Sequence, residues 1–285
     1  TYIQIKGEKI ARDLKINKIY DFESYFNVLK KDSVKEKFDF HRLMEYSPRL
    51  NQKLRDDFEF EENQRPLIVS GILLALEDDG FSAYKTKKKP LEIADLIITT
   101  IKERLERDNI KGTKINTIIE TYGFIRTNTK IINDKNKDGS PNTHLRDLVT
   151  EVEENVKPFI EDYKQYDVIG IFYNEFLRYA NGDGGLGIVL TPKHITELFV
   201  DLAEVNVDSV VIDNCCGTAG FLIASMKRME DLAKGDKDKI KKIHTKQLLG
   251  IEDNAKMFCL ACSNMMLRGD GKSNIAQQDC FQVEE

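Results

Sequence analysis

The sequence has few cysteines, little net charge and no long apolar run, and each shortage excludes a class of protein. Its five cysteines, all from Cys215 onward, are too few for a disulfide scaffold, so we expect a reducing, cytoplasmic setting. No apolar run approaches the ~20 residues that cross a bilayer, and the first residues lack the apolar segment of a signal peptide. The net charge of −5 argues against a polybasic chain, although clustered basic residues can still bind nucleic acid.

A change of pattern near residue 165 divides the 285 residues into two expected domains, 1–165 and 166–285. The first has apolar residues at helical spacing and is predicted to be helical. The expected helices are 20–30, 66–76, 91–106 and 144–165, the last interrupted by Pro158, with a surface loop at 133–142. The second alternates strands with helices, which is the pattern of a parallel sheet in an α/β fold. Its expected strands are 207–212, 248–251 and 273–276.

The segment VVIDNCCGTAGFL at 210–222 is the most informative motif. A β-branched strand ends at Asp213, and a loop with Gly217 and Gly220 leads into a helix. The glycines allow a ligand to approach the backbone, and the helix start offers unpaired N–H groups. A carboxylate beside such N–H groups favours a zwitterion over a bare phosphate. An ordinary strand-to-helix turn is the alternative.

This motif resembles the S-adenosylmethionine-binding motif of N6-adenine DNA methyltransferases, and most closely that of the modification (M) subunits of type I restriction-modification systems. Asn214 stands where proline is usual in that family, and Ala219 stands where glycine is usual. Residues 184–202, 248–254 and 278–281 resemble the neighbouring family segments in order and spacing. The resemblance implies that the second domain is the first half of a Rossmann-like S-adenosylmethionine-dependent methyltransferase sheet.

The resemblance also implies roles for individual residues. Thr191 and Pro192 would flank the methionine end of the cofactor, Glu252 would bind the ribose hydroxyls, and Asp279 would contact the adenine amino group. Phe281 would pack on the adenine. The full implied cofactor set is Thr191, Pro192, Asp213, Gly217, Thr218, Gly220, Phe221, Glu252, Asp279 and Phe281, with no metal.

The catalytic motif of this family, (Asn/Asp)-Pro-Pro-(Tyr/Phe), is absent, because none of the six prolines is adjacent to another. We therefore expect no catalytic residue in this chain and no methylation by it alone. The resemblance implies that the parent protein methylates adenine in double-stranded DNA and assembles with specificity and restriction subunits. If the sheet ends here, strand 207–212 becomes an unprotected edge, which predicts self-association.

Other functions are less well supported. A non-catalytic assembly module, which binds DNA or a specificity subunit on a Rossmann scaffold, stays open. Gly182-x-Gly184-x-x-Gly187 follows a helix rather than a strand, which argues against a dinucleotide site. Cys259 and Cys262 lie among apolar helical residues, which favours core packing over zinc. The basic run 85–89 is either a solvated loop or a phosphate contact.

Overall fold

The computed structural model of the chain describes the backbone of residues 3–5, 8–10, 22–163, 167–177, 190–270 and 274–282. Side chains are described from residue 39 onward within these ranges, Leu177 excepted. Two compact units are present, Thr1–Tyr46 and Ser47–Glu285. The glycine-rich loop expected at 182–187 lies outside the described residues.

The first unit contains a short antiparallel pair and the beginning of a long helix. Strands β1 (Ile3–Ile5) and β2 (Glu8–Ile10) pair with Ile3 opposite Ile10. Helix α1 (Phe22–Asp56) continues past the end of this unit and contains Pro48 in its interior. The helix predicted at 20–30 is thus only the first part of a longer one.

The second unit is helical up to Leu177 and then alternates strands with helices. The first set is α2 (Arg65–Leu76), a 3₁₀ helix (Asp79–Thr86), α3 (Pro90–Arg107), α4 (Gly112–Tyr122), α5 (Phe124–Thr127), α6 (Thr129–Ile132), α7 (His144–Asn155), α8 (Lys157–Asp162) and α9 (Val168–Leu177). The second set is α10 (Lys193–Leu202), β3 (Val211–Asp213), α11 (Gly220–Ala233), α12 (Lys237–Lys242), a π turn (Ile243–Gln247), β4 (Leu248–Glu252), α13 (Ala255–Met266) and β5 (Ile275–Gln277).

Helix α2 is the centre of the core, as its uninterrupted apolar sequence predicts. Every residue of α2 is buried, and it packs against α3, α4, α7, α9 and α13. Burial of each large aliphatic side chain stabilises the fold by about 1.5–3 kcal/mol relative to exposure. The predicted helix at 144–165 is wrong in one detail. The break falls at Val156, and Pro158 lies in the first turn of α8, where the missing N–H costs nothing.

The described strands β3, β4 and β5 form a parallel sheet in that order, which confirms the α/β prediction. Asp213 lies beside Gly250, and Glu252 lies beside Gln277. The strand predicted at 207–212 is wrong at its start, because β3 begins only at Val211. The Gln247 amide donates to the carbonyls of Val207 (3.0 Å) and Ser209 (2.7 Å).

Local hydrogen bonds fix a turn where the extended strand was expected. Asn206 N donates to Ser209 Oγ at 3.0 Å, and Asp208 N donates to Asn206 Oδ1 at 3.0 Å. Short polar side chains that bond to nearby backbone compete with strand pairing in this way. Strand β3 nevertheless lies at one edge of the described sheet, where Val210 is 61% and Ile212 is 65% exposed. Self-association through this edge stays a prediction.

The helical part packs directly on the sheet part. The Tyr122 hydroxyl of α4 lies 2.8 Å from Ser70 Oγ of α2 and 2.8 Å from Ser263 Oγ of α13. Lys114 Nζ of α4 donates to the carbonyl of Ile275 in β5 at 2.9 Å. The domain boundary between 165 and 166 stays a prediction. Among the described helices, none combines the length and hydropathy that a membrane span requires.

Candidate functional site

Three carboxylates follow the ends of the three parallel strands. Asp213 is the last residue of β3, Glu252 is the last residue of β4, and Asp279 lies two residues beyond β5. Parallel strands place their carboxyl ends at one edge of a sheet, where ligands of α/β proteins bind. The structure therefore brings these three predicted residues to the same edge.

The loop after β3 folds back over the end of β4. Cys216 N donates to the carbonyl of Ile251 at 2.9 Å, and Gly217 N donates to Glu252 Oε2 at 3.0 Å. Gly217 has φ +54°, and Ala219 has φ +71°. A residue with a Cβ pays about 1–2 kcal/mol in this left-handed region. This explains why glycine suits the position of Ala219, where the sequence departs from the motif that it resembles.

The Asp213 carboxylate is partly withdrawn from water. Burial raises its pKa, and the hydrogen bond from Cys215 N at 3.2 Å offsets this only in part. No ion pair to Asp213 occurs among the described residues. A desolvated carboxylate without a cation gains most from a ligand that supplies one. An ammonium group is such a ligand, and the expected preference of Asp213 for it stays a prediction.

The Glu252 carboxylate is held in one orientation by two backbone groups. Its Oε2 accepts from Gly217 N, and its Oε1 accepts from Asn254 N at 2.9 Å. A carboxylate offers about four lone-pair sites, so each oxygen keeps a site for another donor. Two neighbouring hydroxyl groups of a ligand match such a pair of oxygens.

The loop after β5 lies beside the loop after β3. Cys280 Sγ is 4.0 Å from Cys215 Sγ. Asp279 accepts from Phe281 N at 2.9 Å and from the Gln282 side chain at 3.0 Å. Phe281 is 95% exposed, so its ring is open to an incoming planar group.

Thr191 and Pro192 lie at the start of α10, where both are exposed. They line a cavity of about 120 Å³ together with Asp167 and Gly220. They therefore meet the first turn of α11 rather than a strand end. Thr191 was expected to flank the cofactor, and its position next to Gly220 leaves that role as a prediction.

Two other members of the expected set have side chains that face protein neighbours. Thr218 is 2% exposed, and its hydroxyl donates to Asp167 Oδ2 at 2.9 Å. The Phe221 ring packs edge-on against Phe199 at a centroid distance of 5.9 Å. If these residues serve a ligand, they do so through the backbone N–H groups at the start of α11.

The sequence analysis missed two residues near the site. Asp167 directly precedes α9, and Tyr173 lies on α9. Tyr173 is 2% exposed, and its hydroxyl has no hydrogen-bond partner among the described residues. Burial, with a smaller effect of the Glu252 charge, raises its pKa. The tyrosine therefore remains a neutral donor within electrostatic range of Glu252. The only available signal was an aspartate placed three residues before Gly170 at a helix start.

Within the part of the chain that the structure describes, no cluster of three or more His, Cys, Asp or Glu side chains could hold a metal ion. Cys259 and Cys262 are buried in α13, in agreement with core packing. In the basic run, Lys85 forms an ion pair with Glu153 at 2.9 Å.

Comparison with known proteins identifies the family of this region. The fold is an α/β domain whose three carboxylates follow the carboxyl ends of parallel strands, the edge at which α/β proteins commonly bind ligands. Residues 164–285 match the family model described as N-6 DNA Methylase. This match confirms, for this part of the chain, the resemblance that the motifs predicted.

Alignments with two relatives extend beyond this region of the chain. The chain is 34% identical over 253 residues to the "Type II restriction enzyme and methyltransferase RM.BcgI" of Heyndrickxia coagulans, an alignment that covers 87% of this chain. It is 31% identical over 219 residues to the "Type I restriction enzyme MjaVII methylase subunit" of Methanocaldococcus jannaschii, covering 74% of this chain. The chain spans 39% of the length of the first protein and 33% of the second.

A solved structure supports the fold. A chain described under complex assembly and conformational transition of the type I R-M system aligns with a TM-score of 0.54 at 18% identity. The alignment covers 84% of this chain and 51% of the other. The helical part and the sheet part therefore recur together in a known fold.

Proposed function

We propose that this chain is the S-adenosylmethionine-binding part of an adenine-N6 DNA methyltransferase of a restriction-modification system. The observation that carries the proposal is the pairing of Asp213 and Glu252 at the ends of adjacent parallel strands, joined by the loop at Gly217. The family match over residues 164–285 supports the class of reaction.

Each strand-end residue has a chemical counterpart on the cofactor. Asp213 receives the ammonium group, since its carboxylate is partly desolvated and forms no ion pair with a described residue. Glu252 receives the ribose hydroxyls on the free sites of its two oxygens. Asp279 receives the adenine amino group, and the exposed Phe281 ring packs on the adenine. When bound, the cofactor supplies a sulfonium methyl group.

The first turn of α11 completes the site through its backbone. The N–H groups of Gly220 and Phe221 belong to this turn and favour an anionic group, because the start of a helix carries a partial positive charge. The methionine carboxylate is such a group. Thr191 and Pro192 line a cavity together with Gly220, so they border the region proposed for the methionine carboxylate.

In the whole protein the target is an adenine in double-stranded DNA. Chemistry on a base inside a duplex requires that the base be rotated out of the stack. We propose that residues outside this chain receive the flipped adenine. Specificity and restriction subunits are the proposed protein partners, in keeping with relatives that are named as restriction enzymes and methylase subunits.

Calorimetric titration of the chain tests the cofactor assignment. S-adenosylmethionine and S-adenosylhomocysteine should bind at one site, and NAD⁺ should not bind. If a folded chain binds neither sulfur nucleoside but retains a specificity subunit, it is an assembly module and the proposal is wrong.

A methyl-transfer assay tests where the catalytic groups lie. The chain alone should transfer no labelled methyl group to adenine-containing duplexes, because it has no paired prolines. Transfer above background, in a preparation free of host methylases, would show that the catalytic centre lies within these residues.

A further inference from the structure

We infer that Asp167 is a positioning residue for the cofactor site, which acts through Thr218. The inference rests on the proposed function, and it adds a residue that no motif of the sequence indicated. Asp167 directly precedes α9, whereas Thr218 lies in the turn between Gly217 and α11.

The Asp167 carboxylate joins three separate parts of the chain. Its Oδ1 accepts from Gly170 N at 2.6 Å, within α9, and from Asn264 Nδ2 of α13 at 2.5 Å. Its Oδ2 accepts from the Thr218 hydroxyl at 2.9 Å. Hydrogen bonds to an ionised acceptor are about twice as strong as neutral ones. The turn is therefore tied to two helices by one side chain.

A second set of bonds supports the same turn from α13. Asn264 Nδ2 also donates to the Thr218 carbonyl at 2.7 Å, and Arg268 Nη1 donates to the Asn264 carbonyl at 2.6 Å. Thr218, Asn264 and Arg268 are each less than 5% exposed. Burial lowers the pKa of Arg268 to about 10, so the guanidinium remains charged at neutral pH. The buried positive charge compensates the Asp167 carboxylate.

Two glycines lie against the Asp167 carboxylate. A Cβ on Gly170 would lie 2.7 Å from Asp167 Cγ, closer than Cβ atoms normally approach, so a larger residue there would displace the carboxylate. A Cβ on Gly220 would meet Asp167 Oδ2 at 3.6 Å, which shows that the carboxylate also lies against the start of α11.

The position of Asp167 has a consequence for the cofactor. Ala219, with φ +71°, holds a left-handed conformation that persists only where neighbouring contacts enforce it. Thr218 is the residue directly before it, and Gly217 before that donates to Glu252. Loss of the Asp167–Thr218 bond should therefore loosen the loop that orients Glu252 and presents the first N–H groups of α11.

Isosteric variants of Thr218 separate the hydroxyl from the shape of the side chain. Thr218→Val keeps the shape and loses the donor, whereas Thr218→Ser keeps the donor and loses a methyl group. We expect S-adenosylmethionine affinity to fall about tenfold in Thr218→Val and to stay near the parent value in Thr218→Ser. A role confined to side-chain packing would give the reverse order, because Thr218→Val keeps the buried methyl group that Thr218→Ser loses. Asp231→Asn, on the exposed side of α11, is the matched control.

A double-mutant cycle with Asp167→Asn decides whether the two residues act together. We expect the double variant to lose no more affinity than the weaker-binding single variant. Additive losses would mean that Thr218 acts on the cofactor independently of Asp167, which would overturn the inference. So would tight binding by Thr218→Val.

Amide hydrogen exchange of the free protein tests the positioning role of Asp167 without relying on cofactor binding. Thr218→Val and Asp167→Asn should speed exchange over residues 214–220, and Thr218→Ser should not. A parent chain that binds no S-adenosylmethionine would refute the proposed function, while exchange would still report on Asp167. Unchanged exchange in both variants would refute the positioning role itself.

Discussion

Replacing Asp213 by asparagine should change stability and cofactor binding in opposite directions. Burial raises the pKa of Asp213 above 3.8, so the folded protein holds this proton more tightly than the unfolded chain. The ionised carboxylate therefore costs stability, and the cost appears as pH rises from the unfolded pKa through the folded one. Asparagine carries no charge and keeps an oxygen for Cys215 N. The variant should be more stable than the parent at neutral pH.

The same substitution should weaken S-adenosylmethionine binding. A hydrogen bond between a carboxylate and an ammonium group contributes about 1.5–3 kcal/mol, which corresponds to an affinity loss of about 10- to 150-fold. The stability gain should vanish at acidic pH, where the parent carboxylate is also protonated.

Two measurements on one preparation test the expected rise in stability and the expected loss of affinity. Chemical denaturation at neutral and acidic pH gives the free energy of unfolding, and calorimetric titration gives the affinity. Asp253→Asn is the control, because Asp253 is an exposed carboxylate next to Glu252 and should change neither quantity. A folded Asp213→Asn protein with parental affinity would refute the ammonium assignment. A less stable variant would refute the argument from burial.

Three further substitutions have defined outcomes. Glu252→Gln turns one acceptor oxygen into a donor and should weaken S-adenosylmethionine binding by about tenfold in calorimetry, with no loss contradicting the ribose role. Gly250→Ala would place a Cβ 2.6 Å from Ile275 Cδ1, and it should destabilise the fold by about 1–3 kcal/mol in denaturant titration, whereas an unchanged midpoint would show that the sheet yields. The hydrogen bond to Glu230 raises the pKa of His244 above 6.5, against a smaller opposing effect of burial. That stabilisation should be complete below about pH 6.5 and lost as pH rises through the folded pKa. Glu230→Gln should flatten this pH dependence in thermal unfolding, and an identical slope would contradict the pairing.

The elements that the sequence predicted well are those with strong periodicity. The apolar run that begins at Pro66 became the buried helix α2, and the amphipathic pattern of 91–106 became α3. The strand-end position of Asp213 followed from a β-branched run that ends in an acidic residue, and Glu252 directly follows the predicted strand 248–251. Periodic patterns of this kind depend on residues close together in the sequence, and burial of the apolar side chains stabilises the structure that they predict.

The predictions that failed depend partly on partners distant in sequence. Residues 207–209 belonged to the predicted strand 207–212, but the Gln247 amide donates to the carbonyls of Val207 and Ser209. Nothing at 207–209 indicates that contact. The sequence shows that Ala219 departs from the family motif. Its left-handed backbone conformation is known only from the structure.

The Asp167 network escaped sequence reasoning for the same reason. Its members lie at 167, 218, 264 and 268, and no spacing joins them. The sequence did place Thr218 in the cofactor set. The structure shows its hydroxyl directed at Asp167, a contact that the motif alone does not contain.

A crystal structure of this chain with S-adenosylhomocysteine would test the central claim most directly. The account predicts the ligand along the carboxyl ends of β3, β4 and β5, with its ammonium group on Asp213, its ribose hydroxyls on Glu252 and its adenine beside Asp279. Ligand bound away from these strand ends, or a ribose that does not reach Glu252, would contradict it.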